Sequence, residues 1–216
     1  MDIACSYPNY CPPNSTQELI CDLGYEALST SGKRDSHSRC CLKCSPGSYG
    51  NHPQRLKCDP CPAGFFCPGG TTGPRVHPCP QGAFCPLESE EPRACPPGTR
   101  GTISMATAAS DCSPCAPKTY QHESNKTACK QCGSSADSTE GQETCECFGK
   151  YRHFQVSDGS CECLSGYVFF DPVTYEKVEG NSDKNCQLEV WTLLCSGMYL
   201  ICEPNGAFTA GKSHSL

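Results

Sequence analysis

The chain has little with which to build an oily core. Its hydrophobic share is 37% of 216 residues, and that count includes 23 cysteines. Aliphatic and aromatic side chains therefore supply only about 26%, well under an ordinary globular domain. With 20 glycines and 19 prolines the backbone is interrupted every few residues, which excludes long helices, because proline removes a donor and glycine adds chain entropy. Small loop-rich modules are expected instead of one large core. Basic charge is also scarce: net charge is -6 with a pI near 5.5, and only "GKR" at 32–34 clusters. A nucleic-acid-binding basic face is excluded.

Other absences narrow the function. No G-x-S-x-G elbow, H-E-x-x-H helix or phosphate-cradling glycine loop occurs; the glycines follow Cys-Pro, which is turn chemistry. A C-x2-C pair such as Cys41 and Cys44 normally performs redox catalysis from the start of a helix that lowers its thiol pKa, and here the pair opens a Pro-Gly turn. A non-enzymatic chain without cofactor or bound metal is expected. The longest uncharged run, Val190 to Cys202 ("VWTLLCSGMYLIC"), falls short of the roughly 20 apolar residues that span a bilayer, and a buried strand or helix is expected there. The closing "GKSHSL" is expected to be unstructured. The opening "MDIACSYPNY" has neither a basic start nor an apolar run and does not read as a signal peptide. A fragment or isoform of a larger secreted or membrane-anchored protein is the expectation.

What the chain does have is sulfur. Cys41, Cys44, Cys58 and Cys61 follow the spacing C-x2-C-x13-C-x2-C, and Cys112, Cys115, Cys129 and Cys132 repeat it, with Pro46, Ser48 and Tyr49 matched by Pro117, Thr119 and Tyr120. Between the quartets the pattern C-P-x-G-x-F-C-P is written twice, from Cys61 to Cys67 and from Cys79 to Cys85, and Cys95 opens a third Cys-Pro-x-Gly start. In each start the proline fixes its own φ and the glycine two residues on takes a left-handed turn, reversing the chain beside a bridge. Phe66, Phe84, Tyr49 and Tyr120 are expected to plug the modules against sulfur. A different rhythm follows, with "CEC" at Cys145 and Cys147 and again at Cys161 and Cys163, and short strands expected over Tyr151 to Val156 and Gly166 to Phe170.

A cysteine-dense chain forms disulfides in an oxidising compartment and binds metal in a reducing one. The sequons at Asn14 and Asn125 fit a glycosylated extracellular chain. The rival is an intracellular zinc protein with a four-thiolate shell in each quartet. Its C-x2-C pairs stand closer together than the usual 15 to 20 residues of such sites, and His37, His52, His77, His122 and His153 lack ligand spacing and are expected at the surface. In the chain-entropy argument a bridge closing about 15 residues contributes roughly 3 kcal/mol, so about ten of them substitute for the missing core. An odd number of cysteines leaves at least one thiol over, and Cys195 or Cys202, in the apolar tail, is the candidate.

"CSPCAPKTYQHESNKTACKQC", "CPAGFFCPGGTTGP" and "CPPGTRGTISMATAASDC" resemble ephrin-receptor-like cysteine-rich repeats over roughly residues 41–147. The third stretch, ending in Asp111-Cys112, is the most specific, and the resemblance implies a Cys95–Cys112 bridge. "RCCLKCSPGSYG" at 39–50 resembles a module junction of tumour-necrosis-factor receptors, from which the chain departs by its extra Cys67 and Cys85. The ending C-x-C-x2-G-Y after Cys161 resembles the last half of an epidermal-growth-factor-like module. These resemblances imply an elongated tandem array of short disulfide-laddered β-hairpin and loop modules that binds proteins or acts as a spacer.

The expected organisation is an irregular cysteine-containing segment over 1–40, ephrin-receptor-like repeats over 41–147, an EGF-like-resembling module over 148–186 and an apolar stretch with a disordered tail over 187–216. The expected partner is an extracellular protein ligand, with a membrane reached only through a longer form of the chain; the exposed loops Gly69 to His77 and Leu87 to Arg93 are the first places to mutate, although the acidic stretch in the second reads as a solvated turn. A cytokine-type receptor ectodomain fragment is the alternative reading beside the zinc protein.

Overall fold

The structure, a computed structural model, describes residues 5–29, 32–170, 177–178, 184–188, 201–202 and 208–209. The apolar stretch from Val190 and the closing tail fall largely outside these residues, as do the side chains of Cys195 and Cys202. The fold is small, disulfide-rich and built of hairpins. Among the described residues the helical elements are one four-residue α-helix, α1 (His37–Cys40), and a 3-10 turn at Ala109–Asp111.

The strands pair antiparallel and, with one exception, in twos. β1 (Tyr25–Ala27) pairs β2 (Cys41–Lys43), β3 (Ser48–Tyr49) pairs β4 (Asp59–Pro60), β5 (Ala83–Phe84) pairs β6 (Arg93–Ala94), and β7 (Thr99–Arg100) pairs β8 (Ser113–Pro114). β9 (Thr119–Tyr120) pairs β10 (Lys130–Gln131), β11 (Ala136–Asp137) pairs β12 (Glu146–Cys147), and β13 (Arg152–Phe154) pairs β14 (Cys161–Cys163). β15 (Tyr167–Phe170) lies between β16 (Lys177–Val178) and β17 (Gln187–Leu188), and β18 (Ile201–Cys202) pairs β19 (Phe208–Thr209). The expected strands over Tyr151 to Val156 and Gly166 to Phe170 thus appear as β13 and β15.

Most of these hairpins start the same way. The N–H of Ser48 donates to Ser45 O, Thr99 to Pro96 O and Thr119 to Ala116 O, each closing a four-residue turn. The third residue of each turn has positive φ: Gly47 +82°, Gly98 +77° and Lys118 +67°. That is the type II requirement, met most cheaply by glycine, with proline favoured just before it. Pro46, Pro97 and Pro117 occupy that preceding position.

The chain divides into two compact units, Met1–Cys115 with Gln121–Cys129, and Ala116–Tyr120 with Lys130–Leu216. Within the first unit each turn is tied to the next by one rule. Gly47 accepts from the N–H of Cys61 and donates to Cys67 O, so it straddles both arms of the following turn. Gly24 does this to Cys44 and Gly50, Gly64 to Cys79 and Cys85, Gly82 to Cys95 and Gly101, and Gly98 to Cys115 and Gln121. In the second unit Lys118 does it to Cys132 and Ser138. Two otherwise orphaned backbone groups per turn are satisfied in this way, which the buried turns require.

A second row of left-handed residues lies over the first. Gly70 (φ +80°), Glu88 (+62°), Met105 (+59°) and Asn125 (+61°) donate their N–H groups to Cys44, Cys61, Cys79 and Cys95. Their backbones pass directly over Gly24, Gly47, Gly64 and Gly82: a Cβ on Gly24 would collide with Gly70 O, and one on Gly47 would stand 2.6 Å from Glu88 O. Glycine is needed in the first row for close approach as well as for φ.

Sulfur fills the interior. The largest fully buried side chains are Tyr120 and a series of cysteines, among them Cys61, Cys67, Cys79, Cys85, Cys95 and Cys115. Among the described residues apolar packing forms small clusters, one of Cys21, Ala27, Cys40 and Cys41, one of Cys79, Ala83 and Cys85, and in the second unit one around Tyr120, Ala136, Cys145 and Cys161.

Candidate functional site

Ten bridges organise the described residues. Three close loops of separation 6: Cys5–Cys11, Cys61–Cys67 and Cys79–Cys85. Cys44–Cys58, Cys115–Cys129, Cys132–Cys145 and Cys147–Cys161 close separations of 13 or 14. Cys95–Cys112, Cys21–Cys41 and Cys163–Cys186 close 17, 20 and 23. All sixteen cysteines singled out from spacing lie in these bridges, and Cys95 joins Cys112 as the resemblance implied. Cys5, Cys11, Cys21 and Cys186 were not singled out from spacing, although Cys5 and Cys11 stand six residues apart like Cys61 and Cys67 and like Cys79 and Cys85.

Each quartet is split among three bridges. Cys44 and Cys58 bond to each other, while Cys41 goes back to Cys21 and Cys61 on to Cys67. Cys115 and Cys129 bond to each other, Cys112 goes back to Cys95 and Cys132 on to Cys145. A four-thiolate zinc shell requires the four sulfurs to converge on one point; here they alternate along a chain of turns. The bridges Cys21–Cys41 and Cys147–Cys161 also cross the divisions expected at residues 40 and 147, so flanking and repeat segments share sulfur at both ends.

The thiol left over among the described residues is Cys40, a residue not expected from the sequence. It is fully buried, adjoins the Cys21–Cys41 bridge in one apolar cluster, and its carbonyl accepts the N–H of Leu28 at 2.7 Å. His37, expected at the surface, is half-buried on α1, with its ring edge-on to Tyr10 and Tyr25 and Nε2 3.4 Å from Asp22.

Two of the expected aromatic plugs, Phe66 and Tyr120, behave as packing residues. Phe66 lies on the Cys79 and Cys85 cluster with its ring 5.2 Å from that of His77. Tyr120 is 1% exposed, meets Phe154 edge-to-face at 4.8 Å, and donates its hydroxyl to Val156 O at 3.1 Å. Burial pushes the Tyr120 phenol up, with the Asp158 charge adding to the shift. The "GKR" cluster is not a basic face: the Arg34 guanidinium donates to the carbonyls of Asn9, Leu28 and Pro8 at 2.5, 2.8 and 3.2 Å and lies over the Tyr7 ring. One side chain thereby closes the Cys5–Cys11 loop onto its unit.

Asp111 explains why an acidic residue precedes Cys112. Its Oδ2 accepts the N–H groups of Thr107 and Ala108 at 2.7 and 3.1 Å and the Thr107 hydroxyl at 3.3 Å, fixing the turn that delivers Cys112 to Cys95. The Thr107 and Ala108 backbone donors, with the Thr107 hydroxyl, hold the carboxyl below its ordinary value. A carboxyl whose folded pKa is depressed contributes stability that is present above its unfolded pKa and lost as pH falls through the folded one. Asp111→Asn is expected to lower the thermal midpoint at neutral pH and to flatten the fall of that midpoint below about pH 4, where the unfolded carboxyl titrates. Equal acid slopes for the two proteins, read by circular dichroism, would contradict this role.

The candidate contact surface consists of the segments that the ladder pushes outward. Leu87, Glu88, Glu90, Glu91 and Arg93 are exposed, Leu87 by 62%, while Ser89 among them is buried. In the 69–77 loop Thr72, Arg75 and Val76 are exposed, but Thr71 is buried and bonded to Pro68 O, so that loop presents only part of its length. Asn14 and Asn125 are both exposed with left-handed φ, +65° and +61°. The sequence reading passed over the hairpin β11–β12, whose acidic side chains line a groove; its signal was a run of carboxylates without a compensating cation.

Disulfides at this density are the hallmark of extracellular-type cysteine-rich module proteins. Among the described residues no helix is long and apolar enough to cross a membrane. No protein-family model matches the chain, and no curated protein matches it.

Proposed function

We propose that the chain is a non-enzymatic, extracellular cysteine-rich module array, of ephrin-receptor-like type, that binds another protein or holds a binding domain away from a membrane. The observation that carries this reading is the interlocking of its turns. Successive turns are tied by a straddling left-handed residue and by bridges between neighbours, so a backbone with almost no aliphatic core is fixed in place. Surface side chains on such a scaffold are presented with little ordering cost on association. The repeats quoted above, the exposed sequon asparagines and the scattered surface charge support the same reading.

The test is a peptide-resolved thiol count on the chain with its own N-terminus in its own cells, by rapid alkylation and mass spectrometry, with zinc quantified alongside. The expected result is the ten bridges described, modification of Cys40 only after denaturation, and sugar on Asn14 and Asn125. Nearly all thiols free or zinc-masked would overturn the proposal. Retention of a protein partner that is lost on reduction then separates a binding role from a spacer role.

A further inference from the structure

The cluster at β1 and β2 holds one more sulfur than its bridge uses. Cys41 is bonded to Cys21, and its neighbour in the chain, Cys40, is a thiol. Consecutive side chains on a strand point to opposite faces, but here the backbone changes from helical to extended between the two. Cys40 ends α1, and Cys41, at φ -123° and ψ 126°, opens β2. Both side chains are therefore turned into one cluster with Cys21 and Ala27, Cys40 0% and Cys41 6% exposed. Cys21 Sγ lies 3.7 Å from the Cys40 carbonyl oxygen.

Burial decides which chemistry is open to the Cys40 thiol. Without exposed surface it is closed, in the folded chain, to metal ions, to small thiols and disulfides and to a partner's cysteine, because thiol reactivity follows access. The electrophile packed in its own cluster is the Cys21–Cys41 bridge. Loop closure does not choose between the two partners. Cys21 stands 20 residues from Cys41 and 19 from Cys40, and closure entropy follows only the logarithm of that length.

Local structure holds the present pairing. Cys41 faces Ala27 across β1–β2, and Cys40 O accepts the Leu28 N–H. α1 itself is a single turn whose N-cap Ser36 makes no side-chain bond, and one turn is too short to sustain itself without packing. That packing comes from His37, edge-on to Tyr10 and Tyr25 with Nε2 3.4 Å from Asp22. α1 is thus the element whose local opening frees Cys40 to move.

We propose that Cys21 has two alternative partners, and that opening of α1 lets the Cys40 thiol exchange with the Cys21–Cys41 bridge. The Cys40 thiolate attacks Cys21 Sγ. The Cys21–Cys40 bond forms as the Cys21–Cys41 bond breaks, and Cys41 leaves as a thiolate that takes up the proton Cys40 gave. One bridge and one thiol are present before and after, so no oxidant or reductant is consumed. Because Cys40 takes the place of Cys41 by a shift of one residue, α1 is drawn out of its turn and His37 leaves Tyr10, Tyr25 and Asp22. The exchange is a switch that releases residues 36–40 from this cluster while the later turns keep their bridges.

The experiment incubates the full, oxidised chain at about pH 8, near the ordinary thiol pKa. Samples are quenched in acid and urea, labelled with N-ethylmaleimide, digested without reduction, and the adduct is located on Cys40 or Cys41 by fragment mass spectrometry. The label is expected on Cys40 at the start. The share on Cys41 should rise with time to at least about one chain in ten, a gap of at most about 1.4 kcal/mol between isomers, with the two positions together carrying one label per chain. C41S is expected to form the Cys21–Cys40 bridge, and C40S to keep Cys21–Cys41. Label that stays on Cys40 in the wild type at every time would overturn the proposal, and that measurement decides even where C41S does not fold. A folded C41S chain labelled at both Cys21 and Cys40 would also overturn it, as would wild-type label spread over the other bridge cysteines, which is general scrambling.

Discussion

Gly47→Ala is expected to cost about 3 kcal/mol and Gly166→Ala only about 1, although both replace a left-handed glycine by the same methyl group. The backbone angles are nearly identical, φ +82° and +81°. The difference lies in what stands above. A Cβ on Gly166 meets nothing within 4 Å, so that variant carries only the left-handed strain, about 1 kcal/mol. A Cβ on Gly47 stands 2.6 Å from Glu88 O. That oxygen belongs to backbone tied to Cys61 by the Glu88 N–H and to Cys67 by Ser89 O, so it has no free path aside. Overpacking of this kind adds about 1–3 kcal/mol. Gly32→Ala, with nothing within 4 Å and no left-handed φ, is the neutral control. Urea unfolding of the three variants checks the order, and equal losses at Gly47 and Gly166 would show that the stacked rows are not in contact in solution.

Removing the Cys95–Cys112 bridge by a double alanine substitution is expected to cost about 3 kcal/mol, and removing Cys79–Cys85 about 2. All four sulfurs are buried to a similar degree, so the length of chain released, 17 against 6 residues, decides the order. The longer bridge also closes the segment that carries the Asp111 cap and the second-row residue Met105, whose N–H reaches Cys79 in the preceding turn. Its loss therefore propagates backward as well as opening its own loop. Denaturant midpoints of the two double variants, with unpaired single variants as references for thiol exchange, test this. The reverse order would mean that local packing around Phe66 outweighs chain entropy.

The material of this fold was legible in the sequence, and so was much of its local geometry. Too few aliphatic residues remain once cysteine is set aside, and proline and glycine recur too often for long helices, so short hairpins clamped by sulfur were the available solution. The Cys-Pro-x-Gly starts announced left-handed turns, and Gly64, Gly82 and Gly98 have φ of +84°, +86° and +77°. The resemblance around "CPPGTRGTISMATAASDC" named the one bridge it implied, and Cys95–Cys112 is present.

Connectivity and contact were not legible, because a disulfide depends on which sulfurs meet in space and spacing records only where they stand in the chain. The quartets looked like closed sets, yet each shares its outer cysteines with neighbours. Cys40 and Cys41 are adjacent in sequence, but only Cys41 bonds to Cys21, while Cys40 is the buried thiol. Lys118 breaks the glycine pattern and still adopts φ +67°, because the Cys132 N–H and the Ser138 carbonyl bond to its backbone from both sides. The opposition of Asp137 and Glu146 likewise exists only through the register of β11 on β12. Composition and turn chemistry, which act within a few residues, were determined by the sequence alone. The pairing of sulfurs, the need for a bare glycine under a passing backbone, and the facing of two like charges were decided by the tertiary structure, since each depends on distances between segments far apart in the chain.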